Sequence, residues 1–166
     1  MNKRYISFEQ MKSHCSEMIR QMVQDDWKPE LIVGITRGGA LPAVMLSHFL
    51  GCKMVGLDVS LRDSTSPLEI SGPEHNCWVP ELAGNGRNIL IVDDINDTGA
   101  TINWILEDWD CPKGSIRWGD NVRFAVVIDN EDSRSKVTPQ YVGESINKAV
   151  KDEWIVFEYE NWWKAQ

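Results

Sequence analysis

The sequence lacks the features that define several large protein classes. Its 166 residues contain no run of about 18 apolar residues, the length needed to cross a membrane. The first residues, Met-Asn-Lys-Arg-Tyr, are not followed by the apolar core of a secretory signal. The four cysteines are scattered without a Cys-x-x-Cys pair, which favours reduced thiols over a disulfide framework or a zinc site. These absences predict one cytoplasmic domain (1–166).

Positive charge is also scarce. The chain has 17 Lys and Arg against 25 Asp and Glu, a formal net charge of −8. Nucleic-acid-binding proteins neutralise phosphates with clustered Lys and Arg, and the sequence has no such cluster. It also lacks the Gly-Lys-Ser/Thr of a Walker-type phosphate loop. An anionic ligand must therefore be held locally by backbone amides, an arginine and a divalent metal.

Strand and helix patterns alternate along the chain. Short apolar runs predict strands at 31–35, 53–59, 88–92, 124–128 and 154–157, and helical spacing predicts helices at 8–23, 40–50 and 99–109. This alternation predicts an α/β fold with a mainly parallel sheet flanked by helices. Ligands of such sheets bind beyond the carboxyl ends of the strands. Residues 60–87 are rich in Ser, Pro, Gly and Asn, and a linker this long is either disordered or functional.

One segment, IVDDINDTGAT at residues 91–101, carries most of the chemical information. A buried strand ends in Asp93 and Asp94, Asp97 follows, and a turn of small residues opens a helix. Such a turn lets backbone N–H groups and hydroxyls close on a phosphate at the helix N-terminus. Acids beside a phosphate site suit a phosphorylated ribose. The alternative, a strand ending in solubilising acids before an ordinary helix cap, explains only Asp97 or Thr98.

This segment resembles the phosphoribosyl pyrophosphate (PRPP) signature of the type I phosphoribosyltransferases. That signature is an apolar strand, two acids, two further residues, and then an acid before Thr-Gly-x-Thr. Two other segments resemble the short xanthine-guanine and hypoxanthine (6-oxopurine) members. They are TRGG at 36–39, which resembles the pyrophosphate loop, and EWIVF at 153–157, which resembles the base-binding segment. The resemblance covers most of the chain and implies a mobile lid loop (60–87) and a C-terminal base-binding hood (129–166).

The resemblance also implies a role for each matching residue. Asp97 would be the general base, while Asp93 and Asp94 would hold the ribose hydroxyls and, directly or through water, Mg²⁺. Trp154 would stack on the base beside the backbone of Ile155, although a core tryptophan on a strand is the alternative for Trp154. The 5′-phosphate would be bound by Thr98, Gly99, Ala100 and Thr101, and the pyrophosphate by Thr36, Arg37, Gly38 and Gly39.

The sequence departs from the 6-oxopurine pattern after the strand at 124–128. Family members usually place a lysine there, which donates a hydrogen bond to the purine 6-oxygen, whereas this chain has Asp129-Asn130. Asn130 can donate to an oxygen, but its amide also carries an acceptor. The substitution leaves open a broader base range, a 6-amino base, or compensation by Lys136 from the following loop.

The implied function is Mg²⁺-dependent purine salvage. A free 6-oxopurine base (hypoxanthine, guanine or xanthine) and PRPP would give a nucleoside monophosphate and pyrophosphate. Two alternatives remain open: the same chemistry on another base such as adenine, or a regulatory protein that keeps the fold as a PRPP sensor. Relatives usually form homodimers or homotetramers, and Trp162 and Trp163 predict docking onto the core or onto a second subunit.

Overall fold

The computed structural model describes residues 2–59, 78–109 and 114–164, and a parallel sheet of five strands forms its centre. Across the sheet the strands are β3 (Lys53–Asp58), β2 (Leu31–Thr36), β4 (Ile89–Asn96), β5 (Val122–Asn130) and β6 (Tyr141–Ile146). The helices are α1 (Phe8–Gln24), α2 (Ala40–Leu50), α3 (Trp78–Gly84) and α4 (Ala100–Trp109). The predicted α/β fold, with its mainly parallel sheet flanked by helices, is therefore confirmed.

Both faces of β4 are buried because successive side chains of a strand point to opposite sides. Leu90 and Val92 pack in the cluster that contains the buried faces of α1 and α2. Ile89 and Ile91 pack in the cluster that contains the buried residues of α3 and α4. This two-sided burial explains why the strand reads as a continuous apolar run and holds its carboxyl end rigidly.

A second, smaller sheet joins two segments that lie far apart in sequence. Strand β1 (Asn2–Ile6) pairs in parallel with β7 (Glu153–Phe157), and a short 3₁₀ helix (Glu158–Glu160) follows β7. Ser7 caps α1 in a capping box, accepting from the Gln10 backbone N at 3.2 Å while its own backbone N donates to Gln10 Oε1 at 2.9 Å. The amino-terminal strand therefore supports the segment that carries Trp154.

The helices and strands predicted from the sequence largely match those of the structure, and the differences have physical causes. Strand β6 was not predicted because this half-exposed edge strand contains Gly143 and Glu144 rather than an apolar run. Helix α3 lies at the end of the predicted lid loop, and its seven residues are too short for a helical period. The rest of that loop, residues 60–77, lies outside the described residues. Within the described ranges, no helix is long and apolar enough to span a membrane.

Candidate active site

Strand β4 continues through the acids instead of ending at Val92. Its pairing with β5 extends to the register pairs Asp93–Val126, Ile95–Ile128 and Asn96–Asp129. The predicted strand bounds, 88–92, were therefore too short at the carboxyl end. The ladder of hydrogen bonds fixes the backbone of Asp93 and Asp94, so both carboxylates start from a rigid support.

The two carboxylates crowd each other at this strand end. Asp93 Oδ1 accepts a hydrogen bond from the Asp94 backbone N at 2.9 Å, and Asp94 Oδ1 accepts one from the Ile95 backbone N at 2.9 Å. Burial raises the pKa of Asp93 well above its usual range, and the neighbouring charge of Asp94 raises it further. Such a pair is stabilised by a nearby cation.

The acid pair has the donor chemistry that Mg²⁺ prefers. This ion is commonly bound by one or two carboxylates together with substrate phosphates, rather than by a cage of protein ligands. In the part of the chain that the structure describes, no group of three or more His, Cys, Asp or Glu could hold a metal. The donor chemistry of Asp93 and Asp94 fits a magnesium ion.

The turn before α4 is built around Gly99. Its φ of +84° lies in the left-handed region, and a Cβ there would collide with the backbone of Arg134 and Ser135. The Arg134 backbone N donates to the Thr98 carbonyl oxygen at 3.0 Å, and the Ala100 N donates to Thr98 Oγ1 at 3.3 Å. The turn thus presents the N-terminus of α4, with Thr101 in its first turn, beside the acids.

The loop that follows β2 packs directly against β4. The Thr36–Arg37 peptide bond is cis, and Thr36 Oγ1 donates to the Leu57 carbonyl oxygen at 3.3 Å. A Cβ on Gly38 would overlap the Asp94 carboxylate, and one on Gly39 would overlap the Val92 carbonyl oxygen. Only glycine fits this close approach, while the Arg37 residue is exposed.

Asp97 forms an ion pair that the sequence did not indicate. Lys148 Nζ lies 2.8 Å from Asp97 Oδ1, and both side chains are mostly buried, at 16% and 22% exposed. The same nitrogen lies 5.9 Å from the centre of the Trp154 ring, which is within cation–π range. Trp154 is 40% exposed, so it is not the core tryptophan of the alternative interpretation. An acid, a cation and an accessible aromatic face meet at one place.

Asn130 holds this group in position. Its Nδ2 donates to the Asp97 carbonyl oxygen at 2.9 Å, and its Oδ1 accepts from the Lys148 backbone N at 3.0 Å and the Asp132 N at 3.3 Å. Both ends of the amide are engaged by backbone, so direct contact of Asn130 with a base stays a prediction. Lys136 does not compensate, because its Nζ pairs with Glu107 Oε1 at 2.9 Å on an exposed surface.

Comparisons with known proteins decide the family. Residues 3–161 match the family described as "Phosphoribosyl transferase domain". The chain belongs to the phosphoribosyltransferase family. This transferase is 30% identical over 135 residues to the xanthine-guanine phosphoribosyltransferase of Gluconobacter oxydans, covering 78% of this chain and 67% of the relative. It is 25% identical over 186 residues to the hypoxanthine-guanine phosphoribosyltransferase of Schizosaccharomyces pombe, covering 94% of this chain and 88% of the relative.

A solved structure supports the same assignment. The purine phosphoribosyltransferase from Pyrococcus horikoshii superposes with a TM-score of 0.68 at 25% identity, covering 100% of this chain and 96% of that one. The resemblance to type I phosphoribosyltransferases is therefore confirmed for both sequence and fold, and the phosphoribosyltransferase family is a family of enzymes.

The phosphoribosyltransferase site contains a residue that the sequence analysis missed. Tyr159, in the 3₁₀ helix after β7, has its hydroxyl 3.0 Å from the Gly38 carbonyl oxygen and 3.1 Å from Asp94 Oδ2. Burial, followed by the charge of Asp94, raises the pKa of Tyr159 above its ordinary value, so the hydroxyl keeps its proton. No local pattern indicates this contact, because 65 residues separate Tyr159 from Asp94.

A polar cluster fixes the segment that packs on the Gly99 turn. The buried Asn96 Nδ2 donates to Asp129 Oδ1 at 2.8 Å, to Ser133 Oγ at 2.9 Å and to Ser135 Oγ at 3.3 Å. Burial raises the pKa of Asp129. These bonds tie the ends of β4 and β5 to the residues that pack on Gly99. The cluster therefore supports the Gly99 turn.

Most of the predicted site residues fall into two groups. The acids, the 98–101 turn and the 36–39 loop lie at the carboxyl ends of β2 and β4, and Asp97 is brought to Trp154 through Lys148. Ile155 is buried on β7, where its register partner is Arg4 of β1. Trp162 and Trp163 are 73% and 64% exposed, so they are not docked into the core, and a second subunit stays a prediction.

Proposed function

We propose that this protein is a purine phosphoribosyltransferase that transfers the 5-phosphoribosyl group from PRPP to a 6-oxopurine base: hypoxanthine, guanine or xanthine. The products are the nucleoside monophosphate and pyrophosphate, as in nucleotide salvage. The observation that carries this proposal is the meeting of Asp97, Lys148 and Trp154 beside the acid pair. The names of the similar proteins support the same substrate class.

The PRPP side of the proposed site follows from the glycine turns and the acids. The Thr98–Thr101 backbone at the N-terminus of α4 would bind the 5′-phosphate through N–H groups and hydroxyls. Asp93 and Asp94 would accept from the ribose hydroxyls and stabilise positive charge on the ring. Arg37 and the Gly38 amide would bind the pyrophosphate. Each group thus faces charge that is present or develops during transfer.

Asp93 and Asp94 would also hold Mg²⁺, directly or through water. When bound with PRPP, the ion supplies charge neutralisation for the departing pyrophosphate. The protein's own contribution is the rigid carboxyl end of β4, which holds both carboxylates. Burial, and after it the neighbouring charge of Asp94, raises the pKa of Asp93, and a bound cation would favour its ionised form.

The base side rests on complementary donors. Lys148 carries an ammonium, which donates hydrogen bonds but accepts none, so it favours an oxygen over an amino group on the base edge. Trp154 would provide the stacking face. Asn130 would position Asp97 and Lys148 through its hydrogen bonds to the backbone of both residues. This arrangement favours a 6-oxopurine over adenine.

The reaction would form one bond and break another. A base nitrogen attacks the anomeric carbon, the new C–N bond forms, and the carbon–oxygen bond to pyrophosphate breaks with its electron pair. The Asp97 carboxylate would take the proton that the base nitrogen loses. Lys148 would hold that carboxylate in position until the transfer.

The deciding experiment is pyrophosphate release with PRPP and Mg²⁺ against guanine, hypoxanthine, xanthine, adenine, uracil and orotate. Release with at least one 6-oxopurine and not with adenine is the expected result. Release only with another base would overturn the substrate and keep the chemistry. PRPP binding without release for any base would overturn the enzyme assignment and favour the PRPP sensor.

A further inference from the structure

The Tyr159 hydroxyl connects the two elements that face the ribose and pyrophosphate ends of PRPP. It lies within hydrogen-bond distance of both the Gly38 carbonyl oxygen, at 3.0 Å, and Asp94 Oδ2, at 3.1 Å. A phenol has one proton, so the two acceptors share it. The carboxylate is charged and therefore accepts the stronger bond. Tyr159 is thus placed to orient Asp94 while remaining in contact with the pyrophosphate loop.

The position of the Tyr159 ring does not depend on its hydroxyl. The ring stacks on Phe157 with centres 5.5 Å apart and planes 12° apart. Glu160 Oε1 accepts from the Phe157 backbone N at 2.9 Å, and Glu158 Oε2 accepts from the Phe8 backbone N at 2.7 Å. The 3₁₀ helix is therefore anchored at several points, which leaves the hydroxyl for a role other than folding the segment.

Asp94 has few other means of holding its carboxylate in place. Within the described ranges, its Oδ1 accepts from the Ile95 backbone N, its Oδ2 accepts from the Tyr159 hydroxyl, and its side chain also hydrogen-bonds that of Asp93. Gly38 packs directly against the same carboxylate. Removing the phenol oxygen would therefore deprive Oδ2 of this donor and leave the carboxylate freer to rotate.

We propose that Tyr159 is a positioning residue for PRPP, which orients the Asp94 carboxylate toward the ribose hydroxyls and holds the Gly38 turn against it. The inference rests on the proposed function, because it takes PRPP as the ligand. It assigns a ligand-binding task to the C-terminal 3₁₀ helix. The segment that carries Trp154 at the base site is thereby connected, within a few residues, to the ribose site.

The test is Tyr159→Phe, which keeps the stacked ring and removes only the hydroxyl. Isothermal titration calorimetry with PRPP and Mg²⁺ should show a Kd about tenfold higher, the size expected for a lost hydrogen bond to a charged group. The KM for PRPP should rise with it, while the KM for the base at saturating PRPP stays within about twofold. An unchanged Kd and KM for PRPP would overturn the proposal.

The matched control is Tyr141→Phe. The Tyr141 hydroxyl is also bonded to charged groups, accepting from Arg123 Nη1 at 2.6 Å and donating to Asp25 Oδ2 at 3.3 Å, but it lies away from the acid pair. Thermal unfolding should show a comparable decrease in Tm for the two variants. The Kd for PRPP should change only in Tyr159→Phe. An equal loss of PRPP binding in both variants would show a general effect on folding and overturn the proposal.

A double-mutant cycle tests whether Tyr159 acts through Asp94. In the Asp94→Ala background, Tyr159→Phe should change the Kd for PRPP by less than about twofold. A full additive loss would overturn action through Asp94. If the wild type binds PRPP but releases no pyrophosphate, the proposed reaction fails while calorimetry still decides the role of Tyr159. If the wild type is active and the Kd and KM for PRPP are unchanged in Tyr159→Phe, only the positioning role fails.

Discussion

Lys148 and Asp97 form a mostly buried ion pair of 2.8 Å although they lie on different segments of the chain. Asp97 follows the end of β4, and Lys148 lies between β6 and β7. The pair exists because the Asn130 amide bonds to the backbone of both residues. A cation is thereby delivered to the side of the site where Trp154 is accessible.

Replacing Lys148 by Met should selectively weaken binding of the base. The substitution keeps most of the side chain's length and removes the ammonium, so the KM for a 6-oxopurine should rise about tenfold, as for a lost charged hydrogen bond. The KM for PRPP should change little. Steady-state kinetics with each substrate varied at saturating levels of the other measures both. Lys136→Met, at the exposed pair with Glu107, is the control and should match the wild type. An unchanged base KM in Lys148→Met would remove Lys148 from base recognition.

Replacing Asp97 by Asn should affect turnover more than binding. The amide cannot take the proton of the base, so kcat should fall by about 10²- to 10⁴-fold, the usual contribution of a general base. The Kd for PRPP, measured by calorimetry, should stay near that of the wild type. Nearly intact turnover would mean that another group or the solvent takes this proton.

Replacing Gly99 by Ala should impair both stability and PRPP binding. Alanine at a φ of +84° is strained, and its Cβ would also collide with the backbone at Arg134 and Ser135. The control is Gly51→Ala, since Gly51 has a φ of +65° and a Cβ there would meet no atom of the described residues within 4 Å. That control should lose only about 1 kcal/mol in urea unfolding, from backbone strain alone, and bind PRPP normally. Equal losses of stability and of PRPP binding in both variants would show that the contact between the turn and residues 134–135 is unimportant.

Replacing Asp93 by Asn should stabilise the ligand-free protein while weakening PRPP binding. Because the folded-state pKa of Asp93 is raised above the ordinary 3.8, the folded state retains a proton that the unfolded state loses. The free energy of unfolding of the wild type should therefore decrease as the pH rises from 3.8 toward the raised pKa.

Asp93→Asn removes that decrease and should be more stable by about 1 kcal/mol at neutral pH, as is common when a functional acid is neutralised. Urea unfolding across this pH range measures the effect. Asp152→Asn, at an exposed position, should retain the wild-type pH dependence. If the free energy of unfolding of Asp93→Asn fell equally steeply with pH, the pH dependence could not be assigned to Asp93.

The acids and the glycine turns could be picked out from the sequence because their signals are local. Glycines at 38, 39 and 99 have to be glycine where backbone approaches backbone or carboxylate, and such positions appear as short patterns. The acids follow an apolar run whose side chains are buried on both faces of the sheet. What the sequence misplaced was the end of β4, since pairing with β5 carries the strand through Asp93 and Asp94 to Asn96.

The contacts of Lys148, Tyr159 and Asn130 were harder to predict because long-range packing builds them. Lys148 lies in a turn without periodic apolar residues, and its contact with Asp97 depends on the positions of β5, β6 and β7. Tyr159 reaches Asp94 only after the 3₁₀ helix is stacked on Phe157. Asn130 is the last residue of β5, and its residue type alone could not show that both ends of its amide are engaged by backbone.

The pairing of β1 with β7 sets an order of assembly during synthesis. β1 leaves the ribosome early, but it must wait for residues 153–157 before its hydrogen bonds can form. The sheet from β2 to β5, with Asp93, Asp94 and the Gly99 turn, can form while β7 is still being made. The growing chain should therefore complete the carboxyl end of β4 before it forms the β1–β7 pair that supports Trp154, because contacts between distant segments form late.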